Sequence, residues 1–430
     1  MIGFAGLSHL GIVSSAAAAA KGFDVVAYDP DASLCVALKQ ANPPVVEPGL
    51  ISLLRDGSPR IRYAADASAL AHCDVIYISV DVPTDAANRS DIGPVRELLR
   101  TASEVAKPGA TLVVLSQVRP GFSRKAEETI EPIEQKRLQL YYQVETLVFG
   151  NAVERALRPE RFIVGCADPG VTLPEAFYSF LKSFGCPILP MRYESAELAK
   201  IAINCCLVAA VSTANTLAGL CEKIGADWSE IVPALRLDRR IGEHAYLAAG
   251  LGIAGGNLER DLATVTRLGD SAGTDVGVVR AWSANSRYRR DWVLRLLHAT
   301  TLAHHRDSTL ALLGLAYKEN TNSIKNAPAL SLLAALTPYR IQAYDPLVAP
   351  QPEWHPRLSR AADALAACAG VDAVVVMTPW PEFRTLDPRT IAGVSSGKTV
   401  IDPFGCLDRE ACRAAGLTHF VLGVGNIGEV

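Results

Sequence analysis

The chain contains no CxxC pair, no basic tract and no histidine pair at metal-ligand spacing, and each absence removes a class of function. Its ten cysteines are scattered, and the adjacent Cys205 and Cys206 are poor candidates for a bridge to each other. That usage fits reduced thiols in a cytoplasmic protein, not a disulfide framework or a zinc site. No metal is expected. With 42 basic against 45 acidic residues and a net charge of −3, the chain carries no footprint for a nucleic acid. Anionic small molecules remain open, because a few local Arg or Lys residues suffice for them. The Ala-rich opening, Met1 to Gly22, resembles a signal peptide but lacks a positive start, and Gly and His interrupt its apolar run. No other uncharged apolar stretch is long enough to span a bilayer, so no membrane partner is expected.

What is present reads as an α/β protein. At 430 residues one hydrophobic core is too few, so two or three domains are expected. β-rich runs at Val25 to Tyr28, Val75 to Val80, Thr111 to Leu115 and Arg161 to Val164 alternate with Ala/Leu-rich helical runs. Such alternation predicts a parallel, doubly wound sheet. From Ser195 to Ile224 there is neither Pro nor strand punctuation, which predicts one long, largely buried helix ended by Gly225. Helical pattern continues to about Leu297. Alternation then resumes, with strands at Thr309 to Leu315, Arg340 to Tyr344, Val371 to Met377 and Lys398 to Ile401 and a helix at Ala329 to Leu336. The halves echo each other: Val26 to Pro30 resembles Gln342 to Pro346, and Cys73 to Ile78 resembles Val371 to Val376. The expectation is two Rossmann-like, doubly wound domains joined by a long central helix and helical domain. Its segments are residues 1–190, 191–298 and 299–430.

Gly6-Leu7-Ser8-His9-Leu10-Gly11 follows a short apolar run and opens an Ala-rich helix, and the second strand ends in Asp29. Gly6 permits a tight turn, Gly11 lets helix and sheet approach, and the helix start offers free N–H groups to a pyrophosphate. Asp29 can accept from the adenosine ribose hydroxyls and would repel a 2′-phosphate, which favours NAD over NADP. Ser8 takes the place of the middle glycine, so a degenerate, purely structural turn is the alternative. His9 can touch cofactor phosphates or lie on the loop surface. The scattered His244 is a candidate acid/base, and the run Arg287 to Arg290 reads as a solvated helix face or an interface.

Further segments, in order along the chain, resemble the UDP-glucose/GDP-mannose dehydrogenase family. They are Glu47-Pro48-Gly49-Leu50, Asp74 to Thr84, Arg158-Pro159-Glu160-Arg161, Ala196 to Lys200 with Asn204, and Asp238 to Gly242. In the C-terminal part they are Gly314 to Lys318 with Thr321, Tyr344-Asp345-Pro346 and Thr378 to Phe383. The resemblance implies an N-terminal NAD domain, a helical dimerisation core and a C-terminal domain for the nucleotide diphosphate, with the active site between domains. It implies oxidation of a sugar C6 alcohol to a carboxylate. The substrate is a nucleotide sugar, with a UDP-sugar favoured, and the assembly is a homodimer through the central helix.

Residue by residue, the resemblance assigns Lys200 and Asn204 to stabilising developing oxyanions. Lying four apart, they share one helix face. Asp261 and Glu145 are assigned to organising water and proton transfer. The cofactor set is Gly6, Ser8, His9, Leu10, Gly11, Asp29, Val82, Pro83, Gln117 and Lys325. The substrate set is Glu145, Thr146, Lys200, Asn204, Arg240, Gly255 and Lys318. The main departure is Asn257, which falls where the family carries its nucleophilic cysteine. That thiolate captures the aldehyde as a thiohemiacetal, which is oxidised to a thioester and hydrolysed; an amide cannot replace it. No cysteine lies between Cys221 and Cys368 to rescue the match. Gln117 replaces a threonine, Phe149 a glutamate, Val144 a proline, Phe404 a substrate-contacting arginine and Lys325 an arginine. The expected reaction is therefore an altered or truncated oxidation. A redox-neutral epimerase using bound NAD and a non-catalytic nucleotide-sugar-binding paralogue stay open. Cys205 or Cys206 approaching the site is a further alternative to packing as small apolar residues.

Overall fold

The computed structural model describes residues 1–85, 88–303 and 307–425. It divides into two compact units, Met1–Ile203 and Asn204–Val430. This division is coarser than the three segments expected from sequence, and it neither supports nor overturns their bounds.

The first unit holds β1 (Ile2–Ala5), β2 (Val25–Tyr28), β3 (Ile61–Ala64), β4 (Val75–Ile78), β5 (Thr111–Val114), β6 (Gln139–Gln143), β7 (Phe162–Cys166) and β8 (Ile188–Arg192). Their spatial order is β3-β2-β1-β4-β5-β6-β7-β8, parallel except between β6 and β7. β1, β2, β4, β5 and β7 are buried on both faces, which is why they read as nearly continuous apolar runs. Val25, Ala27, Val75 and Tyr77 enter one cluster with Phe4, whereas Val26, Tyr28, Ile76 and Ile78 enter the other with Leu112 and Val114. The helix His9–Ala20 lies on the first face through small, fully buried residues such as Ala16 and Ala18. It stops where Gly22 adopts φ 90° and the Phe23 amide reaches the Ala18 carbonyl.

The second unit repeats this plan. Its strands β9 (Thr309–Leu313), β10 (Arg340–Tyr344), β11 (Leu358–Arg360), β12 (Ala373–Val376), β13 (Thr399–Ile401) and β14 (Thr418–Phe420) lie in the order β11-β10-β9-β12-β13-β14, all parallel. The echo seen in the sequence is structural. Gly6 and Gly314 have φ 93° and 96°, and the amides of Leu7 and Leu315 each donate to the carboxylate ending the next strand, Asp29 and Asp345, at 2.7 Å. The expected α/β architecture with two Rossmann-like sheets and a long central helix is the observed one.

Three expectations are corrected. The helix Tyr193–Ile224 ends before Gly225 (φ 75°) as expected, but it is not largely buried within the chain. Leu198, Leu217, Leu220 and Ile224 are exposed along it, although by length and apolar composition alone it could cross a membrane. Helical structure is interrupted between Leu237 and Asn257, because Gly242, Gly252 and Gly255 take positive φ there. The basic run on the helix Gly277–Arg290 is not simply solvated. Arg289 is 2% exposed and donates to Glu222, and Arg290 donates to Glu259 and to the Ile253 carbonyl.

Candidate functional site

In the first unit, the turn between β1 and the helix His9–Ala20 is built for close approach. A Cβ on Gly11 would stand 1.9 Å from the Gly6 carbonyl oxygen, so only glycine fits. Gly11→Ala is expected to cost at least about 1–3 kcal/mol of stability by overpacking, read as a lowered Tm against wild type. Ser8 precedes the helix but does not cap it. Its hydroxyl donates to the Ser79 carbonyl and accepts from the Asp81 amide, at 3.3 and 2.8 Å. The first helical turn holds no acidic residue, which suits an N-terminus that receives an anion.

Asp29 and Asp345 occupy equivalent places and differ in what they have left to offer. Asp345 is 7% exposed and accepts from the amides of Leu315, Ala316, Leu347 and Val348 and from the Trp380 indole. Asp29 is only half-buried and accepts from the amides of Leu7 and Asp31. It retains lone pairs for a ribose diol, and Asp345 does not. The first turn, not the second, is therefore suited to an adenine dinucleotide. Asp29→Ser is expected to raise the NADP to NAD affinity ratio about tenfold, the worth of one like-charge contact. Titration of both cofactors checks it.

His9 is not on the loop surface. It is 6% exposed, its Nε2 meets Glu47 Oε1 at 2.8 Å, and its ring stacks on Phe149 with centroids 4.2 Å apart. Glu47 was not among the expected site residues. It also accepts from the amides of Gly150 and Ala152 at 2.9 and 3.2 Å. Burial pushes its carboxyl up, but these hydrogen bonds and the imidazole outweigh it and hold Glu47 below the usual range.

The same 144–152 segment carries Glu145, whose side chain turns back onto the Leu147 amide. Lys200 donates to the Glu145 carbonyl at 2.8 Å and to its carboxylate at 3.2 Å, with side chains 12% and 15% exposed. Thr146 is half-buried, its carbonyl accepting from Arg155. Glu197, one turn before Lys200, is fully buried and accepts from the amides of Gly121 and Ser123. Burial pushes its carboxyl up. Glu197 thereby ties the long helix to the start of the helix Phe122–Thr129, just after the loop bearing the half-buried Gln117. Val82 packs at the edge of the second core cluster, and Pro83 is exposed.

In the second unit, Asn204 donates to Asp261 at 2.5 Å, and Asp261 also pairs with Arg260 at 3.3 Å. These three side chains are nearly fully buried. Asn257 is the first residue of the helix Asn257–Ala272 and is exposed. The loop before it is clamped. Gly255 donates to the Lys325 carbonyl and accepts from Asn326, and a Cβ on Gly256 would stand 3.0 Å from Lys325 Nζ. The Lys325 ammonium is lowered from its usual range, first by partial burial and then by the Arg260 charge. Gly255 faces the Tyr317 ring, and Lys318 Nζ lies 5.6 Å from the centroid of that ring. The structure thus gathers Asn257, Gly255, Lys325 and Lys318 around one loop. It does not bring Arg240 there: its side chain is 89% exposed and paired with Asp238. His244 is also exposed.

Position 257 favours a thiolate, since the free N–H groups of a helix start and nearby cations lower a thiol pKa. No thiol stands there. Cys205 is the thiol beside Asp261, and burial followed by the Asp261 charge pushes it up to about 11, which leaves it inert near neutrality. Among the described residues, no group of His, Cys, Asp and Glu is arranged to hold a metal ion.

Comparison with known proteins extends these features. The UDP-glucose/GDP-mannose dehydrogenase family models match in order: the NAD binding domain over residues 1–179, the central domain over 194–287 and the UDP binding domain over 311–409. The UDP-glucose 6-dehydrogenase of Pseudomonas aeruginosa is 30% identical, over 92% of this chain and 91% of that protein. UDP-glucose 6-dehydrogenase TuaD of Bacillus subtilis is 28% identical, over 97% and 92%. A UDP-glucose dehydrogenase structure from the archaeon Pyrobaculum islandicum superposes with a TM-score of 0.85 at 26% identity, covering 99% of this chain and 98% of that one.

Proposed function

Since the chain belongs to the UDP-glucose/GDP-mannose dehydrogenase family of NAD-dependent nucleotide-sugar oxidoreductases, we propose that it oxidises the C6 alcohol of a UDP-hexose and stops at the aldehyde. The observation that carries the second half is Asn257. It occupies the helix start where a thiolate would be activated, and an amide cannot add to an aldehyde as a nucleophile.

Bound NAD supplies the hydride acceptor. In this reading, Lys200 and Asn204 stabilise the alkoxide as the C6 hydroxyl loses its proton. Glu145, which holds the Lys200 ammonium, and Asp261, which orients Asn204, organise the proton's departure. Gly255 and Lys318 belong to the substrate side, and the family description of residues 311–409 supports UDP there. The relatives named for UDP-glucose support glucose as the sugar. Exposed Leu217, Leu220, Ile224 and Ile231 support a homodimer through the central helical region, residues 191–298. The ten cysteines, none paired in a disulfide, support a cytoplasmic setting.

The test is incubation with NAD and a panel of UDP- and GDP-sugars, following NADH yield and product mass together. One NADH per sugar with an aldehyde product is expected. Two NADH with a carboxylate would overturn the truncated reaction, and an isomeric product without NADH would identify an epimerase. An unchanged sugar that nevertheless binds would identify a binding paralogue.

A further inference from the structure

With Asn257 in place of a thiol, the proposed reaction leaves an aldehyde that no sulfur can hold. A nitrogen nucleophile stands beside the same helix start. The Lys325 side chain lies against the residue before Asn257: a Cβ on Gly256 would stand 2.7, 2.9 and 3.0 Å from its Cε, Cδ and Nζ. Gly256 has an ordinary φ of −109°, so glycine serves there to make room for the lysine and not to relieve the backbone. The lysine is presented by a fixed strap. Its carbonyl accepts from the Gly255 amide at 3.1 Å, and the next residue, Asn326, donates to the Gly255 carbonyl at 2.8 Å and to Glu259. Glu259 is held in turn by Arg290 at 2.6 Å. Lys325 stays accessible from solvent, so a ligand can reach it. Partial burial, and then the Arg260 charge, lowers its ammonium from the usual range. A lysine beside a second cation keeps a larger share of free amine, the form that adds to carbonyls. The two other lysines assigned to the reaction differ. Lys200 is paired with the Glu145 carboxylate at 3.2 Å, and Lys318 lies over the Tyr317 ring, 5.6 Å from its centroid.

We propose that the Lys325 amine captures the C6 aldehyde as an imine and holds it at the point in the reaction where a thiol at position 257 would. The proposal rests on the reading that oxidation stops at the aldehyde. The amine nitrogen adds to the aldehyde carbon, and one of its protons passes to the carbonyl oxygen, giving a carbinolamine. The new hydroxyl then leaves as water with the remaining proton on nitrogen, and the C=N bond forms. Nothing is oxidised or reduced in this step. Addition of water reverses it and returns both aldehyde and amine. While the imine stands, the aldehyde is kept from hydration, and its release, not hydride transfer, limits turnover.

The experiment incubates the full chain with NAD and UDP-glucose and adds cyanoborohydride, which reduces an imine to a stable secondary amine. Intact mass and peptide mapping locate the adduct, while NADH and aldehyde are quantified in parallel. For wild type, about one adduct per chain is expected, on Lys325, with a burst of about one NADH per site before a slower steady rate. Lys325→Arg keeps the charge but cannot add to a carbonyl, so the adduct and the burst should both vanish. The wild-type map decides the matter without the variant. Aldehyde formed without an adduct, or an adduct on Lys200 or Lys318, would overturn the proposal. Two NADH with a carboxylate, or neither NADH nor aldehyde, would overturn the reading on which the imine rests, and the imine with it.

Discussion

Replacing Lys200 with methionine is expected to lower kcat by about 10²–10³-fold, the usual cost of one preorganised oxyanion donor. Methionine keeps most of the apolar stem and removes only the cation. The size of the effect follows from the setting. The ammonium is 12% exposed and held at 2.8 and 3.2 Å by two oxygens of Glu145, so it is fixed before substrate arrives. Little reorganisation is needed when the alkoxide forms, and low solvent access strengthens the attraction. KM for NAD should change little, because Lys200 makes none of the contacts of the Gly6–Gly11 turn. The measurement is single-turnover hydride transfer, with Tm recorded beside it, since removing the cation leaves the half-buried Glu145 carboxylate with the Leu147 amide but without its counter-charge. A folded variant with kcat within about threefold of wild type would remove Lys200 from the chemistry.

Much of the fold was legible because its causes are local. Val25 to Tyr28 is a short apolar run and Arg340 to Tyr344 an alternating one, each followed by Asp-Pro, and both became strands ending at a buried or half-buried carboxylate. Gly225 stopped the long helix where its freedom at positive φ predicts. The errors lie where distant contacts decide. Residues 238–256 have helical composition in part, but Gly252 is pressed against the Ser286 carbonyl, where a Cβ would stand at 2.4 Å, and the backbone takes φ 80° to get there. Arg289 and Arg290 read as a charged surface because their acceptors, Glu222 and Glu259, stand 67 and 31 residues away in sequence.

The site divides in the same way. Gly6, Gly11 and Asp29 were readable from spacing alone, since the chemistry of a pyrophosphate turn fixes that spacing. Lys200, Asn204, Glu145 and Asp261 became candidates only through resemblance, because Lys-x3-Asn is by itself an ordinary helix face. The pairing of His9 with Glu47 was hidden by 38 residues of separation. The signal that could have found it was the Glu-Pro-Gly-Leu segment, an acid with no other evident task. Arg260 was missed although it adjoins Asp261, because adjacent residues on a helix do not face each other and only burial brings this pair together.

Asn257→Cys is expected to restore a second oxidation, raising NADH from about one to about two per sugar and converting the aldehyde product to a carboxylate. The introduced thiol would sit at the first position of the helix Asn257–Ala272, exposed, with Lys325 and Arg260 beside the loop that leads into it. Free N–H groups and cations together lower its pKa, so a useful thiolate fraction exists near neutrality. The thiolate sulfur would add to the aldehyde carbon as its oxygen takes up a proton, giving a thiohemiacetal, and bound NAD would supply the acceptor for the hydride that leaves as that proton is lost. The resulting thioester is cleaved by water, releasing the acid and regenerating the thiol. Cys205 cannot stand in, since a thiol pushed up to about 11 is almost wholly protonated under the same conditions. Alkylation near neutral pH therefore distinguishes the two thiols by rate. Position 117 is varied beside it, because the resemblance implies a threonine hydroxyl there, near the hydrolytic water. If that hydroxyl is needed, the single variant should give a burst of NADH and hold an acyl group on the introduced thiol, visible as a mass adduct. Asn257→Cys combined with Gln117→Thr should then turn over. An aldehyde product, one NADH per sugar and no adduct from a folded Asn257→Cys protein would show that position 257 is not what ends the reaction.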